Sequence, residues 1–216
     1  MEAWIYAAVA LAAYFLGSIP TGYIVAKAKG VDIRSAGSGN IGATNVFRVL
    51  GKTAGIIVLV IDASKGFLAP WFAPAFASAL SSGALTGEQV DYVSIIAGIG
   101  VILGHNYTCW LKFKGGKGIA TSAGAVLALF PAAFAVVLVL WLVVFGISKY
   151  VSLASLAAAV ALPLTAWLLH SSARMTWLAI FMSALAIYKH KANIKRLMDG
   201  TENRFGGMPP PVGVVK

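Results

Sequence analysis

Apolar residues fill this chain in long blocks, with the polar residues gathered between the blocks. The first block runs from Ala3 to Ala26 and is broken by Gly17-Ser18-Ile19-Pro20-Thr21-Gly22. A polar stretch from Lys27 to Lys52 separates it from a second block, Ala54 to Leu80, which carries Pro70 and Pro74. Ser81 to Val90 reads as a short polar connection holding Glu88, and a third block, Tyr92 to Tyr107, ends in Gly104-His105-Asn106. After a basic loop the chain is apolar from Ile119 to Ser148, too long for one span without steep tilt. Phe130-Pro131 divides it into a short fourth helix and a full fifth. Val151 to Leu169 and Met175 to Ile187 make a sixth and a seventh.

Apolar runs of about 18 residues or more mark membrane spans. Proline and glycine inside them are tolerated where neighbouring groups satisfy the freed backbone. The pattern therefore predicts an all-α integral membrane protein with seven transmembrane helices. A basic helical extension, Tyr188 to Leu197, should continue the seventh helix. Residues 1–206 are expected to form a single domain, and residues 207–216, with three consecutive prolines, a disordered tail.

Composition agrees with this class. The chain has 216 residues, 59% of them hydrophobic and 11% charged, whereas a soluble domain carries about a quarter charged residues. A net charge of +10 does not call for nucleic acid as a partner, because the cytoplasmic loops of membrane proteins are enriched in Lys and Arg. A single cysteine, Cys109, excludes an internal disulfide and a cysteine-built metal site. No cofactor or metal is expected. Glu2 and the lack of a positive N-terminal region make Ala3 to Leu16 a retained span rather than a cleaved signal. Alternating the polar segments puts Lys27, Lys29, Arg34, Arg48, Lys52, Lys112, Lys114, Lys117, Lys149 and the C-terminal basic cluster on one side, and Arg174 on the other. That asymmetry predicts a cytoplasmic C-terminus and an external N-terminus.

Three segments on the basic side could hold an anion. Gly37-Ser38-Gly39-Asn40-Ile41-Gly42-Ala43-Thr44-Asn45-Val46-Phe47-Arg48 combines glycines, which permit close backbone approach, with exposed amides and a planar guanidinium that matches phosphate oxygens. Lys114-Gly115-Gly116-Lys117-Gly118 precedes a helix, whose N-terminus favours anions. It is not a P-loop, since Gly118 rather than Ser or Thr follows the lysine. Lys112 and Lys114 read as membrane anchors, and Lys117, set between glycines, as the better ligand. His190-Lys191-Ala192-Asn193-Ile194-Lys195-Arg196 places Lys189, His190 and Asn193 at helical spacings on one face. Its lysines also fit a snorkelling collar.

Asp62 and Lys65 lie inside the second block, and charges there are expensive enough to expect an i, i+3 ion pair. His105 and Asn106 fit a cavity wall or the membrane interface equally well. Ser152 and Ser155 could cap the sixth helix or contact phosphate. No histidine is followed five positions later by Asp, and no Gly-x-Ser-x-Gly elbow occurs. A transporter of an anionic phosphorylated metabolite is a rival reading, but it predicts repeat symmetry and polar residues deep in several spans. Neither is found.

The combination of Gly17-Ser18-Ile19-Pro20, Gly37 to Arg48, Gly104-His105-Asn106-Tyr107, Lys112 to Gly118, Lys149 to Leu156 and His190 to Arg196 resembles the bacterial integral-membrane acyl-phosphate:glycerol-3-phosphate acyltransferase family. The resemblance covers about residues 3 to 206. It implies acyl transfer from acyl phosphate to the 1-hydroxyl of glycerol 3-phosphate, giving lysophosphatidic acid, in the bacterial cytoplasmic (inner) membrane among membrane lipids. By motif, Ser38, Arg48, Lys117, His190 and Asn193 are the implied catalytic set. Gly37, Gly39, Asn40, Gly42, Thr44, Asn45, Gly115, Gly116, Gly118, Ser152 and Glu202 are the implied substrate-binding residues. A monomer is expected. Thr108-Cys109 stands where the family usually has a Pro-led pair.

The charge asymmetry is checked by single cysteines at positions 88 and 114 in a Cys109→Ser background. They should label from opposite sides of intact cells, and labelling of both from outside would refute the seven-span topology.

Overall fold

The computed structural model describes residues 1–81, 83–169 and 171–206, and every regular element among them is helical. The first apolar block is two helices, α1 (Ala3–Ser18) and α2 (Thr21–Lys27), cut at Ile19-Pro20. Proline removes a backbone donor and pushes the residue before it out of the helical region; Ile19 accordingly sits at ψ 111°. The short α3 (Ala43–Leu50) follows the glycine-rich loop, and α4 (Lys52–Ser81) runs on through Pro70 and Pro74. Helix α5 (Gly87–Asn106) starts earlier than its hydropathy suggested, because Thr86 and Gln89 form a capping box that draws Glu88 into the first turn. The block from Ile119 to Ser148 does divide at Phe130, into α6 (Ile119–Leu129) and α7 (Pro131–Ser148).

Then come α8 (Val151–Leu168), α9 (Ala173–Lys189) and α10 (Lys191–Met198). His190, at φ −98° and ψ 7°, interrupts the last two. The basic extension is thus a separate helix and not a continuation of α9. Among the described residues, five segments are long and apolar enough to cross a membrane: residues 3–27, 52–81, 87–111, 131–148 and 151–168. Helices α6, of 11 residues, and α9, of 17, are shorter. This is a multi-pass membrane architecture. His170 and residues 207–216, the latter expected to form a disordered tail, lie outside the described residues.

Packing relies on close backbone approach. A Cβ on Gly17 would run into the Val101 backbone of α5, and one on Gly104 into the Tyr14 backbone of α1. The α4–α6 crossing repeats the arrangement, with Gly66 against Thr121 and Gly124 against Ala63. Small residues at such crossings maximise dispersion contact, which in a bilayer replaces the hydrophobic drive. Helix α7 fully buries only Ala133 and Val137; Phe134, Trp141 and Phe145 are half-buried, and much of the remainder, including Val139 and Ile147, is exposed.

The break between α1 and α2 is closed from α4. Lys65 Nζ donates to the Ile19 carbonyl at 2.9 Å, and also pairs with Asp62 at 2.8 Å as the spacing required. Asp62 accepts a further bond from Thr21 Oγ1 at 3.0 Å. Both charged side chains are buried. Removing one partner of a buried pair costs about 3–5 kcal/mol, because the other is stranded. Lys65→Met should lose stability of that order in denaturant unfolding in micelles. Asp62→Leu/Lys65→Met should recover a substantial part of the loss, and equal losses in both variants would show that the pair is not the anchor.

Candidate active site

One cavity of about 520 Å³ brings the three anion-binding segments together. Its polar end carries Ser38, Arg48, Lys117, His190 and Asn193 with Asn40, Gly42, Thr44, Asn45, Gly118, Ser152 and Glu202. Of the residues named from sequence, only Gly37, Gly39, Gly115 and Gly116 do not line it. Their part is architectural.

The first loop is folded around Asn45. Its amide donates to the carbonyls of Ala36 at 3.0 Å and Asn40 at 2.9 Å, and its Oδ1 accepts the Ser38 N–H at 2.8 Å. Gly37, at φ +59°, lies so close to Asn45 Oδ1 that a Cβ there would collide with it. Asn45 therefore shapes the loop with all its polar atoms, while the exposed Ser38 stands at the cavity. Arg48, on α3, reaches toward the Asn203 carbonyl at 3.5 Å. Burial lowers its guanidinium below the ordinary value while Glu202 opposes the shift, and it stays cationic as arginine does in proteins.

The second loop hangs from the end of α5. Gly115 N–H donates to the Asn106 carbonyl at 3.2 Å and Gly116 N–H to the His105 carbonyl at 3.0 Å. Side chains on either glycine would strike His105 or Asn106. Gly118, at φ +80°, turns the chain into α6. This leaves Lys117 pointing across to α10, where Nζ donates to Asn193 Oδ1 at 2.5 Å.

Glu202 organises the third side. It accepts from Asn193 Nδ2 at 2.7 Å, Arg196 Nε at 2.7 Å and Ser152 Oγ at 2.9 Å. Burial raises its carboxyl, but these three donors outweigh that and hold it below the usual carboxylate range. Ser152 thus neither caps α8 nor stands free; it holds Glu202. Ser155 bonds instead to the Val151 carbonyl and to Trp141 Nε1. Lys189 leaves the face that sequence assigned it, donating to the Asn106 carbonyl at 3.0 Å and lying over the Tyr107 ring.

His190 closes the polar end. Its Nδ1 is 2.8 Å from the Ala186 carbonyl, which can only accept, so Nδ1 carries the hydrogen and Nε2 is left as an acceptor. Burial, reinforced by the Lys117 charge, pushes its pKa down to about 4, against the Ala186 bond. The imidazole is neutral at physiological pH. A histidine does meet a carboxylate deeper in the cavity wall, His105 Nδ1 lying 3.6 Å from Asp62. No hydrogen bond links either of them to Ser38.

Sequence reading did not assign Arg196 or Phe205 to the site, yet both line the cavity. Arg196 lay inside a quoted motif. Phe205 had no such signal: its ring packs on Phe47 and Phe145, and its N–H donates to the Lys149 carbonyl at 2.8 Å. Beyond the polar end the cavity is apolar, walled by Ile56 and Leu59 of α4, Val137 and Trp141 of α7, Leu162 of α8 and Met182 of α9. It is a charged mouth on a hydrophobic slot.

The family profile described as glycerol-3-phosphate acyltransferase matches residues 7–200. A glycerol-3-phosphate acyltransferase of Desulforamulus reducens is 42% identical over 197 residues, 91% of this chain and 93% of that protein. One of Aquifex aeolicus is also 42% identical, over 89% of this chain and 95% of its own. The crystal structure of PlsY (YgiH), an integral membrane glycerol 3-phosphate acyltransferase, in its glycerol 3-phosphate form superimposes with a TM-score of 0.82 at 40% identity, covering 93% of this chain and 96% of that one. Its lysophosphatidic acid form gives 0.80 at 39%.

Burial pushes the Lys117 ammonium down to about 8, helped by Arg196 and Arg48 and opposed by Glu202. As pH rises through that value the lysine loses its charge, so anion capture weakens toward alkaline pH. The alkaline limb of kcat/KM should fall near pH 8 and move upward in Lys117→Arg. An unmoved limb in that variant would assign it to another group.

Proposed function

We infer the reaction from the premise that this chain belongs to the glycerol-3-phosphate acyltransferase family: it esterifies the 1-hydroxyl of glycerol 3-phosphate and releases lysophosphatidic acid. The donor is acyl phosphate. One observation carries this reading: a cluster of Ser38, Arg48, Lys117 and His190 stands at the mouth of an apolar slot. Both substrates then present phosphate to the mouth, and the acyl chain enters the slot. Ile56, Leu59 and Leu138 on its walls are also exposed on the molecule's side, which gives the chain a lateral way in from the bilayer.

Transfer is direct. The hydroxyl oxygen of glycerol 3-phosphate attacks the acyl carbonyl carbon, a new C–O bond forms, and the bond from that carbon to the phosphate oxygen breaks with its electron pair leaving on phosphate. Arg48 and Lys117 stabilise the charge that develops, and the Ser38 hydroxyl donates to a phosphate or carbonyl oxygen. His190 Nε2 accepts from a glycerol hydroxyl and orients it. The departing phosphate already lies next to the carbonyl and, with a second pKa of about 6, is a competent base, while burial disfavours a protonated His190. The proton therefore passes to the departing phosphate. Acyl phosphate is already activated, so orientation and charge stabilisation suffice without a nucleophile of the enzyme's own. Asn193 acts by holding Lys117, and Glu202 by holding Asn193.

The same reading supplies the membrane frame: seven spans, with α6 and α9 included, the N-terminus outside and the C-terminus in the cytoplasm of a bacterial inner membrane. Residues 1–206 form one domain, and the protein acts as a monomer.

Purified protein given acyl phosphate and glycerol 3-phosphate should form lysophosphatidic acid, and should do so poorly from acyl-coenzyme A. Absence of product from acyl phosphate refutes the donor assignment. Removing one charge-assisted contact costs about 1.5–3 kcal/mol, roughly ten- to a hundredfold or slightly more in kcat/KM. Arg48→Ala and Lys117→Ala should each show it. Arg48→Lys should also be impaired, because the planar fork is lost. Wild-type kinetics in Lys117→Ala would remove that residue from the site.

A further inference from the structure

The slot has a definite depth. Helices α7, α8 and α9 each bring one end to the polar mouth, at Phe145, Ser152 and His190, and then run away from it. The cavity lining follows α7 from Phe145 to Phe134, which at about 1.5 Å per residue is about 16 Å. On α8 it follows Ser152 to Leu162, about 15 Å by the same rise. One leaflet of a bilayer offers a hydrocarbon depth of about 15 Å, half of the usual core. The slot thus takes a fatty chain of ordinary membrane length and then ends.

Phe134 stands at that end. A second, apolar pocket of about 350 Å³ adjoins it between α4 and α6, lined by Phe67, Leu68, Gly124 and Leu127 among others and open at the molecule's side, where Leu68 and Leu127 are exposed. Phe134 and Ala123 are the two residues that face both cavities. Ala123 is too small to part them, so the Phe134 ring is the partition. Its backbone is held at the start of α7, three residues after Pro131, with its N–H donating to the carbonyl of the buried Phe130 at 2.7 Å. A helix start stiffened by proline makes a firm wall.

We propose that Phe134 is the acyl-chain stop, the residue that sets the longest chain this enzyme handles well, and that the cavity behind it is the space a longer chain would occupy if the ring were removed. The inference rests on reading the first cavity as the acyl site. A chain longer than the slot must bend or leave its end methylenes in the open, whereas in Phe134→Ala those methylenes enter an apolar space. Each buried methylene favours binding by about fourfold, so two of them give about fifteenfold.

The test is a series of myristoyl, palmitoyl, stearoyl and arachidoyl phosphates with wild type, Phe134→Ala and Phe134→Trp. In Phe134→Ala the ratio of kcat/KM for arachidoyl over palmitoyl phosphate should rise about fifteenfold over wild type, with two of the added carbons reaching the new space. In Phe134→Trp the profile should move the other way, toward myristoyl phosphate. Because each variant is read as a ratio between chain lengths, a general loss of folded protein cancels. If Phe134→Ala does not fold, Phe134→Leu carries the same expectation at smaller size. Chain-length profiles parallel to wild type in both directions overturn the proposal. If wild type is inactive with every acyl phosphate, the donor reading fails, and the same ratios measured with acyl-coenzyme A thioesters decide the Phe134 assignment by the same criterion.

Discussion

A broken helix inside a bilayer leaves backbone groups with no water to satisfy them, and this fold answers that problem with a single lysine. Lys65 caps the freed Ile19 carbonyl and is itself neutralised by Asp62, which also takes the Thr21 hydroxyl of the second half-helix. The same carboxylate lies 3.6 Å from His105, the residue whose carbonyl holds Gly116. The loop that presents Lys117 thus hangs from backbone carbonyls at the end of α5, next to the ion pair. Substrate chemistry at the mouth depends on satisfying the backbone deeper in the bundle. Small residues at the α1–α5 and α4–α6 crossings bring these helices close enough for such short bonds to form.

The polar end faces a second constraint, that of gathering cations without driving them apart. Arg48, Lys117 and Arg196 gather at the polar end around Glu202, while Asp62, deeper in the cavity wall, is paired with Lys65. Glu202 spends its lone pairs on Asn193, Arg196 and Ser152, and Asn193 passes the polarity on to Lys117. The outcome is a fixed lattice that stays cationic overall, which suits a site for a phosphorylated substrate. Its cost is visible in Lys117, whose ammonium falls to about 8. A phosphate anion arriving beside it would reverse that shift by the ordinary effect of an opposite charge. His190 is held on the other side of the same balance, since burial and the neighbouring lysine keep it neutral.

Much of this could be read from the residues, because it follows from local rules. The Phe130-Pro131 division, the Asp62–Lys65 pair and the convergence of Ser38, Arg48, Lys117 and His190 all match their sequence signals. What escaped depended on contacts distant in the chain. Ser152 looked like a helix cap, and nothing near it announces a partner fifty residues on at Glu202. The glycines of the second loop looked like anion ligands, but they are small so that the loop can lie on His105 and Asn106. The α9–α10 break at His190 carries no proline or glycine, so helical spacing ran straight through it and wrongly kept Lys189 on the site's face. Thr86 and Gln89 did carry a local signal, the capping box, which a hydropathy boundary overrode.

The two ends of the cavity impose opposite requirements, and the helix order reconciles them. An amphiphilic donor needs its charged head in a dry, cationic mouth and its chain in hydrocarbon, with no aqueous passage between. Helices α7, α8 and α9 meet this by starting or ending at the mouth, so each supplies polar contacts at one terminus and apolar wall along its length. Helix α7 can wall the slot while burying almost nothing else, because its outer face rests against lipid. A slot bounded by so lightly packed a helix can admit a chain from the side, but only a rigid terminus gives it a floor. Pro131 and the buried Phe130 provide that terminus, and Phe134 stands on it. The mouth selects for charge and the floor for length, and the two selections act on opposite ends of one molecule.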